Sequence, residues 1–246
     1  MTDGHARRNE EAFTDLVAAE EEHLRWQSEK VALIQRVLRR CGARGVLADV
    51  GCFTGGATVL FRSTGFDRVV GFDSCEPALA RAAARGIEVR YWRAGAERCP
   101  AADEEFDFVV AADVIEHCVD TDALLEELRR VLHQDGWLVV TTPNLAFWIS
   151  RLRLLLGKVP WSYPGASPTV RADMKIDLNH IRITTRREWE AVFQARGFSV
   201  EDVRGWSILG AMGRSPGIRA RRAVDRWMTR FPQGAFGLLF LLTRSG

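Results

Sequence analysis

The chain has 246 residues, 34 Lys+Arg against 32 Asp+Glu, a formal net charge of +2 and 47% hydrophobic residues. That apolar fraction excludes wholesale disorder, and the charge balance gives no general drive toward nucleic acid. No apolar run approaches the roughly 20 residues of a membrane span, and MTDGHARRNEEAF lacks the apolar core of a signal peptide. Cys41, Cys52, Cys75, Cys99 and Cys118 are widely spaced and contain no CxxC. They read as reduced thiols of a cytoplasmic protein, with neither a disulfide framework nor a metal site expected. Only Lys30, Lys158 and Lys175 are lysine, an arginine habit that fits a GC-rich genome better than a binding surface.

Residues 10–40 read as one or two amphipathic helices, with Phe13, Leu16 and Val17 in one apolar set and Val31, Ile34, Val37 and Leu38 in another. Gly42 ends that region in the usual position after a helix. Short apolar runs then alternate with helical segments. Strands are expected over Val46–Val50, Val69–Phe72, Ile87–Tyr91, Phe106–Ala111 and Trp137–Thr141, and helices over Ala57–Phe61, Pro77–Arg85 and Leu124–Leu132. Such alternation predicts a parallel sheet with right-handed crossovers. Beyond Pro143, an apolar helix over Leu145–Leu156 precedes a loop rich in Pro, Gly and Ser over Gly157–Asp177. Thr185 and Glu188 form a capping box for a helix running to Arg196, with Gly197 after it. Strands over Phe198–Val203 and Phe236–Thr243 flank a basic stretch over Gly205–Gln233.

The most informative stretch is Val46-Leu-Ala-Asp49-Val-Gly51-Cys-Phe-Thr-Gly55-Gly56, in which a strand ends beside an acidic residue and glycines open a helix. Glycine at 51 and 55 would let a ligand approach the backbone, and the helix N-terminus offers N–H groups to a carboxylate. Asp73 closes the second strand 22 residues after Gly51, where a carboxylate can accept both hydroxyls of a ribose. These features predict a nucleoside cofactor across the carboxyl ends of the strands. The dinucleotide fingerprint G-x-G-x-x-G is absent, because Phe53 stands where its second glycine belongs. Asp49 also puts negative charge where a pyrophosphate would come close. The pattern suits S-adenosylmethionine, with its cationic sulfonium and amino-acid end, better than NAD(P).

The chain resembles the class I S-adenosylmethionine-dependent methyltransferases of the bacterial small-molecule group. DVGCFTGG resembles their first motif, VVGFDSCEPALARAAARG the second, and AGAERCPAADEEFDFVVAADVIEH the third and fourth. LLEELRRVLHQDGWLVVTTPN resembles the following helix and fifth strand, NHIRITTRREWEAVFQARGF a late His-x-Arg-x-x-Thr element, and EEHLRW a lid helix. The resemblance implies a Rossmann-like three-layer α/β sandwich with a mostly parallel seven-stranded sheet, its last strand antiparallel, and an N-terminal helical lid. It implies that Asp49, Gly51 and Gly55 surround the methionine part, and Asp73 the ribose. Ser74, Ala96 and Glu97 would flank the adenine, and Asp113 and Val114 would close the pocket. Two departures stand out: Phe53 where the family has glycine, and Gly95 where it has an acidic residue.

Histidine is the natural base for an acceptor's proton. His117 follows Glu116 just after the fourth strand and reads equally as a loop or helix-start histidine bonded to backbone; His180 lies where the chain should return across the site, or else bonds Asp177 or caps a helix. His5, His23 and His133 are weaker: terminal, on the lid, and ending a surface helix. Asn144 could bond a polar acceptor or merely hold a turn. Trp26, Trp148, Trp161 and Tyr163 could wall an acceptor pocket or belong to the core. Arg214, Arg219, Arg221, Arg222, Arg226 and Arg230 read as a solvated face or a site for an anionic partner. The expectation is a single domain, with a lid over 1–42, a cofactor core over 43–144, an acceptor-site insertion over 145–184 and the rest of the sheet over 185–246. It would methylate O or N of a small metabolite, such as a sugar or specialised natural product, as a cytoplasmic monomer or homodimer, without nucleic acid or a membrane span. Alternatives are an NAD(P) oxidoreductase, an accessory protein of methionine biosynthesis (suggested by TTPNLAFWISRLRLLLGKVP), and an S-adenosylmethionine enzyme with a non-methylating reaction.

Overall fold

A computed structural model describes residues 20–160, 180–208, 223–225 and 227–245, with side chains from residue 24 onward. Helix α1 runs over Glu20–Arg40, followed by β1 (Val46–Val50), α2 (Gly56–Arg62), β2 (Arg68–Asp73), α3 (Glu76–Ala84), β3 (Glu88–Tyr91) and β4 (Phe106–Ala112). A 3₁₀ turn over Ile115–His117 leads to α4 (Thr121–Val131) and β5 (Leu132–Pro143). Next come α5 (Trp148–Leu155), α6 (Arg186–Ala195), β6 (Phe198–Trp206), a 3₁₀ turn over Pro232–Gly234 and β7 (Gly237–Arg244).

The seven strands form one sheet in the order β3-β2-β1-β4-β5-β7-β6. Pairing is parallel from β3 through β5, and β7 runs antiparallel to both β5 and β6, as the resemblance implied. Alternation along the strands assigns the two faces. Ala48, Val50, Val109, Ala111, Leu138, Val140, Leu238, Phe240 and Leu242 pack under α4 and α6 through Leu124, Leu128, Trp189 and Phe193. Leu47, Phe108, Val110, Val139, Leu239 and Leu241 face the other layer, where Ile34, Val37, Leu38 and Phe61 of α1 and α2 lie. Leu238 to Leu242 are all buried, as a strand with neighbours on both edges requires.

The second half of α1 is core, with Val31, Ile34, Val37 and Leu38 buried, so this helix is anchored on the sheet. Two expectations change. His133 does not end a helix; it stands exposed at the start of a β5 that begins five residues earlier than expected. The strand β6 extends to Trp206, because its register with β7 continues to Trp206 opposite Gly237. The capping box of α6 is present, with the Thr185 N–H donating to Glu188 Oε2 at 3.3 Å.

Phe240, fully buried on β7 with its ring 5.0 Å from that of Phe193, fastens the antiparallel strand to α6. Phe240→Ala should cost about 3–5 kcal/mol of unfolding free energy. Denaturant titration checks this; a loss below about 1 kcal/mol would contradict the packing described.

Candidate functional site

The sheet order reverses between β1 and β4, and ligands of open α/β sheets bind at such a switch point, outside the carboxyl ends of the strands. At the end of β1 the backbone passes through left-handed conformations at Gly51 (φ 74°), Phe53 (φ 51°) and Gly55 (φ 78°) before α2 begins. The Phe53 N–H donates to Asp73 Oδ2 at 2.8 Å and the Cys75 N–H to Oδ1 at 2.9 Å. Asp73 therefore ties the first loop to the end of β2 with both oxygens, a structural duty beyond the ribose contact expected of it. The glycines are also needed internally. A Cβ on Gly51 would lie 2.7 Å from Val114 Cγ2, and one on Gly55 2.5 Å from Ile87 Cδ1. Besides leaving the backbone open to a ligand as expected of them, they have an internal role, because protein side chains occupy the space their own would fill.

Asp49 is almost fully buried and accepts a hydrogen bond from Thr58 Oγ1 at 2.5 Å. Burial lifts its carboxyl to about 7, the Thr58 bond opposes this, the charge of Asp73 adds to it, and Lys30 opposes it. A carboxyl raised in the folded state binds its proton more tightly than in the unfolded chain. The fold therefore loses stability as pH rises from the usual aspartate range toward 7. A cation placed beside Asp49 would reverse that cost.

Lys30 was not anticipated. It is 2% exposed, and its Nζ meets Asp113 Oδ2 at 2.5 Å and lies 5.6 Å from the centre of the Trp206 ring. Asp113, at φ 56°, also accepts from Thr141 Oγ1 at 2.6 Å. Burial alone would raise this carboxyl, but the charge and hydrogen bond of Lys30 with the Thr141 bond hold it below the usual range. The sequence did carry a signal: position 30 falls on the apolar stripe of Ile34 and Val37, where a lysine needs a buried partner.

Next along the chain, Glu116 is fully buried. Its backbone carbonyl accepts the N–H groups of Ile181 (2.8 Å) and Arg182 (3.1 Å), which brings His180 to it across the sheet. His180 Nε2 lies 3.9 Å from Glu116 Oε1, and the rings of His117 and His180 are 4.8 Å apart. Burial, with the charge of Asp113 behind it, pushes the Glu116 carboxyl well above the usual range, against smaller opposing effects from Lys30 and Thr142. The two candidate histidines thus converge on one buried acid.

Other expected residues fall in varied places. Ser74 is half-buried, and Ala96 and Glu97 are exposed in the turn after β3, where the Glu97 carbonyl accepts the Trp92 indole N–H at 2.9 Å. Gly95 departs from the family pattern for a steric reason: at φ 74°, a Cβ there would lie 2.8 Å from the Asp120 carbonyl oxygen. Asn144 is corrected to a turn-holding role, since its side chain donates to the Ala235 carbonyl (2.9 Å) and accepts from the Ala146 N–H (3.0 Å). Trp148 packs half-buried against the core and donates to Asp225 Oδ1 at 3.0 Å; Trp26 is partly exposed on α1. Arg230 is exposed. His5, Trp161, Tyr163, Arg214, Arg219, Arg221, Arg222 and Arg226 lie outside the described residues, as does the side chain of His23. No described helix is long and apolar enough to cross a membrane.

Residues 21–203 match a family described as Methyltransferase domain. The chain belongs to the S-adenosylmethionine-dependent methyltransferases. Among its relatives, a probable S-adenosylmethionine-dependent methyltransferase of Mycolicibacterium smegmatis is 30% identical over 73% of this chain and 62% of its own length. A demethylmenaquinone methyltransferase of Thermus thermophilus is 37% identical over 48% of the chain and 53% of its own length. The matched region thus spans about three-fifths or less of these relatives. A methyltransferase solved in complex with its Haloferax volcanii Trm112 activator superposes with a TM-score of 0.68 at 15% identity, covering 95% of this chain and 98% of that one. A possible histamine N-methyltransferase of Thermotoga maritima gives 0.62 at 18%, covering 94% and 97%. At such identities these two likenesses concern the fold.

Lys30→Met should strand Asp113 and destabilise the protein. The loss should fall below the roughly 3–5 kcal/mol of a fully buried pair, because the Asp113 side chain keeps 24% exposure. Chemical denaturation measures it; an unchanged midpoint would contradict a structural role for the pair.

Proposed function

We propose that the chain transfers a methyl group from S-adenosylmethionine to an oxygen or nitrogen of a small metabolite, such as a sugar or specialised natural product. The observation that carries this reading is the convergence of His117 and His180 on Glu116 at the carboxyl end of β4, adjoining the loop after β1. Val114, two residues before Glu116, packs over Gly51 and so joins the two halves.

The residues fit the cofactor by charge. Asp49 is a buried carboxyl held near neutrality for want of a positive partner. When bound, the cofactor supplies a methyl electrophile on sulfonium together with an ammonium and a ribose. In this reading Asp49 and the backbone of Gly51 and Gly55 take the methionine end, and Asp73 takes the ribose with oxygen lone pairs left by the Phe53 and Cys75 bonds. Ser74, Ala96 and Glu97 border the adenine. Asp113 and Val114 shape the wall, with Asp113 acting through its ion pair to Lys30 and not as a free ligand. His180 or His117 receives the acceptor's proton as the acceptor–methyl bond forms and the carbon–sulfur bond breaks, leaving S-adenosylhomocysteine. Most of the rate would come from holding acceptor and methyl in line.

Two expected outcomes test the reading. Asp73→Ala should weaken S-adenosylmethionine binding at least tenfold by calorimetry; wild-type affinity in the variant, or no binding by the parent, would sink it. Because a cation favours ionised Asp49, affinity should tighten as pH rises through about 7, by about fivefold to tenfold between pH 6 and 7.5. Asp49→Asn should flatten that dependence. Affinity that loosens with rising pH would contradict the role given to Asp49.

A further inference from the structure

Glu116 is fully buried, and among the described residues neither of its carboxylate oxygens makes a hydrogen bond of good geometry; its own N–H and the Thr142 hydroxyl come close enough only to oppose the rise of its carboxyl. Buried carboxylates in folded proteins are almost always satisfied, and an orphan of this kind calls for a partner such as an ion or a bound water, or for a catalytic function. The one buried lysine nearby is already committed to Asp113. Around Glu116 stand two imidazoles, and one ligand atom from each of Glu116, His117 and His180 lies within 4.8 Å of the others. The 3.9 Å between His180 Nε2 and Glu116 Oε1 is too long for a hydrogen bond. It is close to the spacing of two ligands sharing a cation with bonds of about 2.0–2.2 Å, which small rotamer adjustments would complete.

We propose that Glu116, His117 and His180 form a site for a divalent transition-metal cation. One carboxylate and two imidazoles suit such an ion and leave coordination positions open. The backbone builds the site from two distant segments. The 3₁₀ turn presents Glu116 and His117 together, and the pairing of Ile181 and Arg182 with the Glu116 carbonyl fixes His180 against them. A cation also answers the charge problem, since Asp113 and Glu116 repel each other within the same buried region. The sequence carries no expectation of a metal, since its cysteines are widely spaced without a CxxC; the ligands proposed here are Glu and His, and His180 lies 64 residues beyond Glu116, so no local spacing signals them.

The consequence for chemistry, though not the site itself, rests on the methyl-transfer reading. The open positions of the cation would take an acceptor hydroxyl and lower its pKa so that its proton is lost to solvent before methylation, favouring oxygen over nitrogen and acceptors with a second oxygen donor able to chelate. The histidines would then orient the acceptor through the metal, in place of taking its proton directly.

The test uses the full chain, stripped with chelator and titrated with Mn²⁺. Free Mn²⁺ is followed by electron paramagnetic resonance, and the bound ion by its echo-envelope modulation. The expected result is one saturable site per chain carrying nitrogen modulation from imidazole. Glu116→Gln and His180→Ala should each weaken it at least tenfold. Calorimetry with S-adenosylmethionine on the same samples reports whether the variants remain folded at the neighbouring cradle. Absence of a saturable site in the parent, binding without nitrogen modulation, or parental affinity in either variant would overturn the proposal. A parent that binds Mn²⁺ here but not S-adenosylmethionine would keep the metal site and retire the methyl-transfer reading.

Discussion

The constraint on which this site depends is electrostatic: the sheet brings four carboxylates, Asp49, Asp73, Asp113 and Glu116, to the carboxyl ends of β1, β2 and β4, with Lys30 as their buried lysine. Ionising several acids in low dielectric costs far more than any one hydrogen bond returns. The protein divides the problem. Asp113 takes the lysine and stays ionised, Asp73 is satisfied mainly by backbone N–H groups, and Asp49 and Glu116 are left with carboxyls raised toward the protonated form. Of the three acids without a cation, Asp73 is raised by burial but holds two backbone N–H groups, and Asp49 and Glu116 are the two that the proposed ligands would complete, Asp49 by the cofactor's positive end and Glu116 by a metal.

This division also explains why α1 is anchored and not loose. Its apolar stripe is core, and Lys30 on that stripe delivers the positive charge that keeps Asp113 ionised at the tip of β4. Removing the lysine would disturb the site from outside it. The inserted antiparallel β7 serves the same end differently: by filling the space between β5 and β6 it gives β5, which carries Thr141 and Thr142, neighbours on both sides.

Much of the fold was legible in the sequence because its signals are local. Strand alternation, the Thr185–Glu188 capping box and the Asp49-x-Gly51 turn each lie within a few residues, and the structure holds them where their spacing requires. The site was only half legible. His117 and His180 could be picked out by residue type, but nothing local says that Glu116 lies between them. That depends on a backbone pairing across more than sixty residues. Asn144 misled for the converse reason: a polar residue after a strand looks functional until the carbonyl it serves, at Ala235, is seen to come from far along the chain.

The central claim is that the carboxyl-end cradle takes the cofactor with its positive end against Asp49 and its sulfur facing the Glu116 cluster. A crystal structure with S-adenosylhomocysteine tests it most directly. The account predicts the product's ammonium beside Asp49, its ribose hydroxyls on Asp73 and its sulfur turned toward His117 and His180. A product bound elsewhere, or bound here with its sulfur pointing away from those histidines, would contradict it.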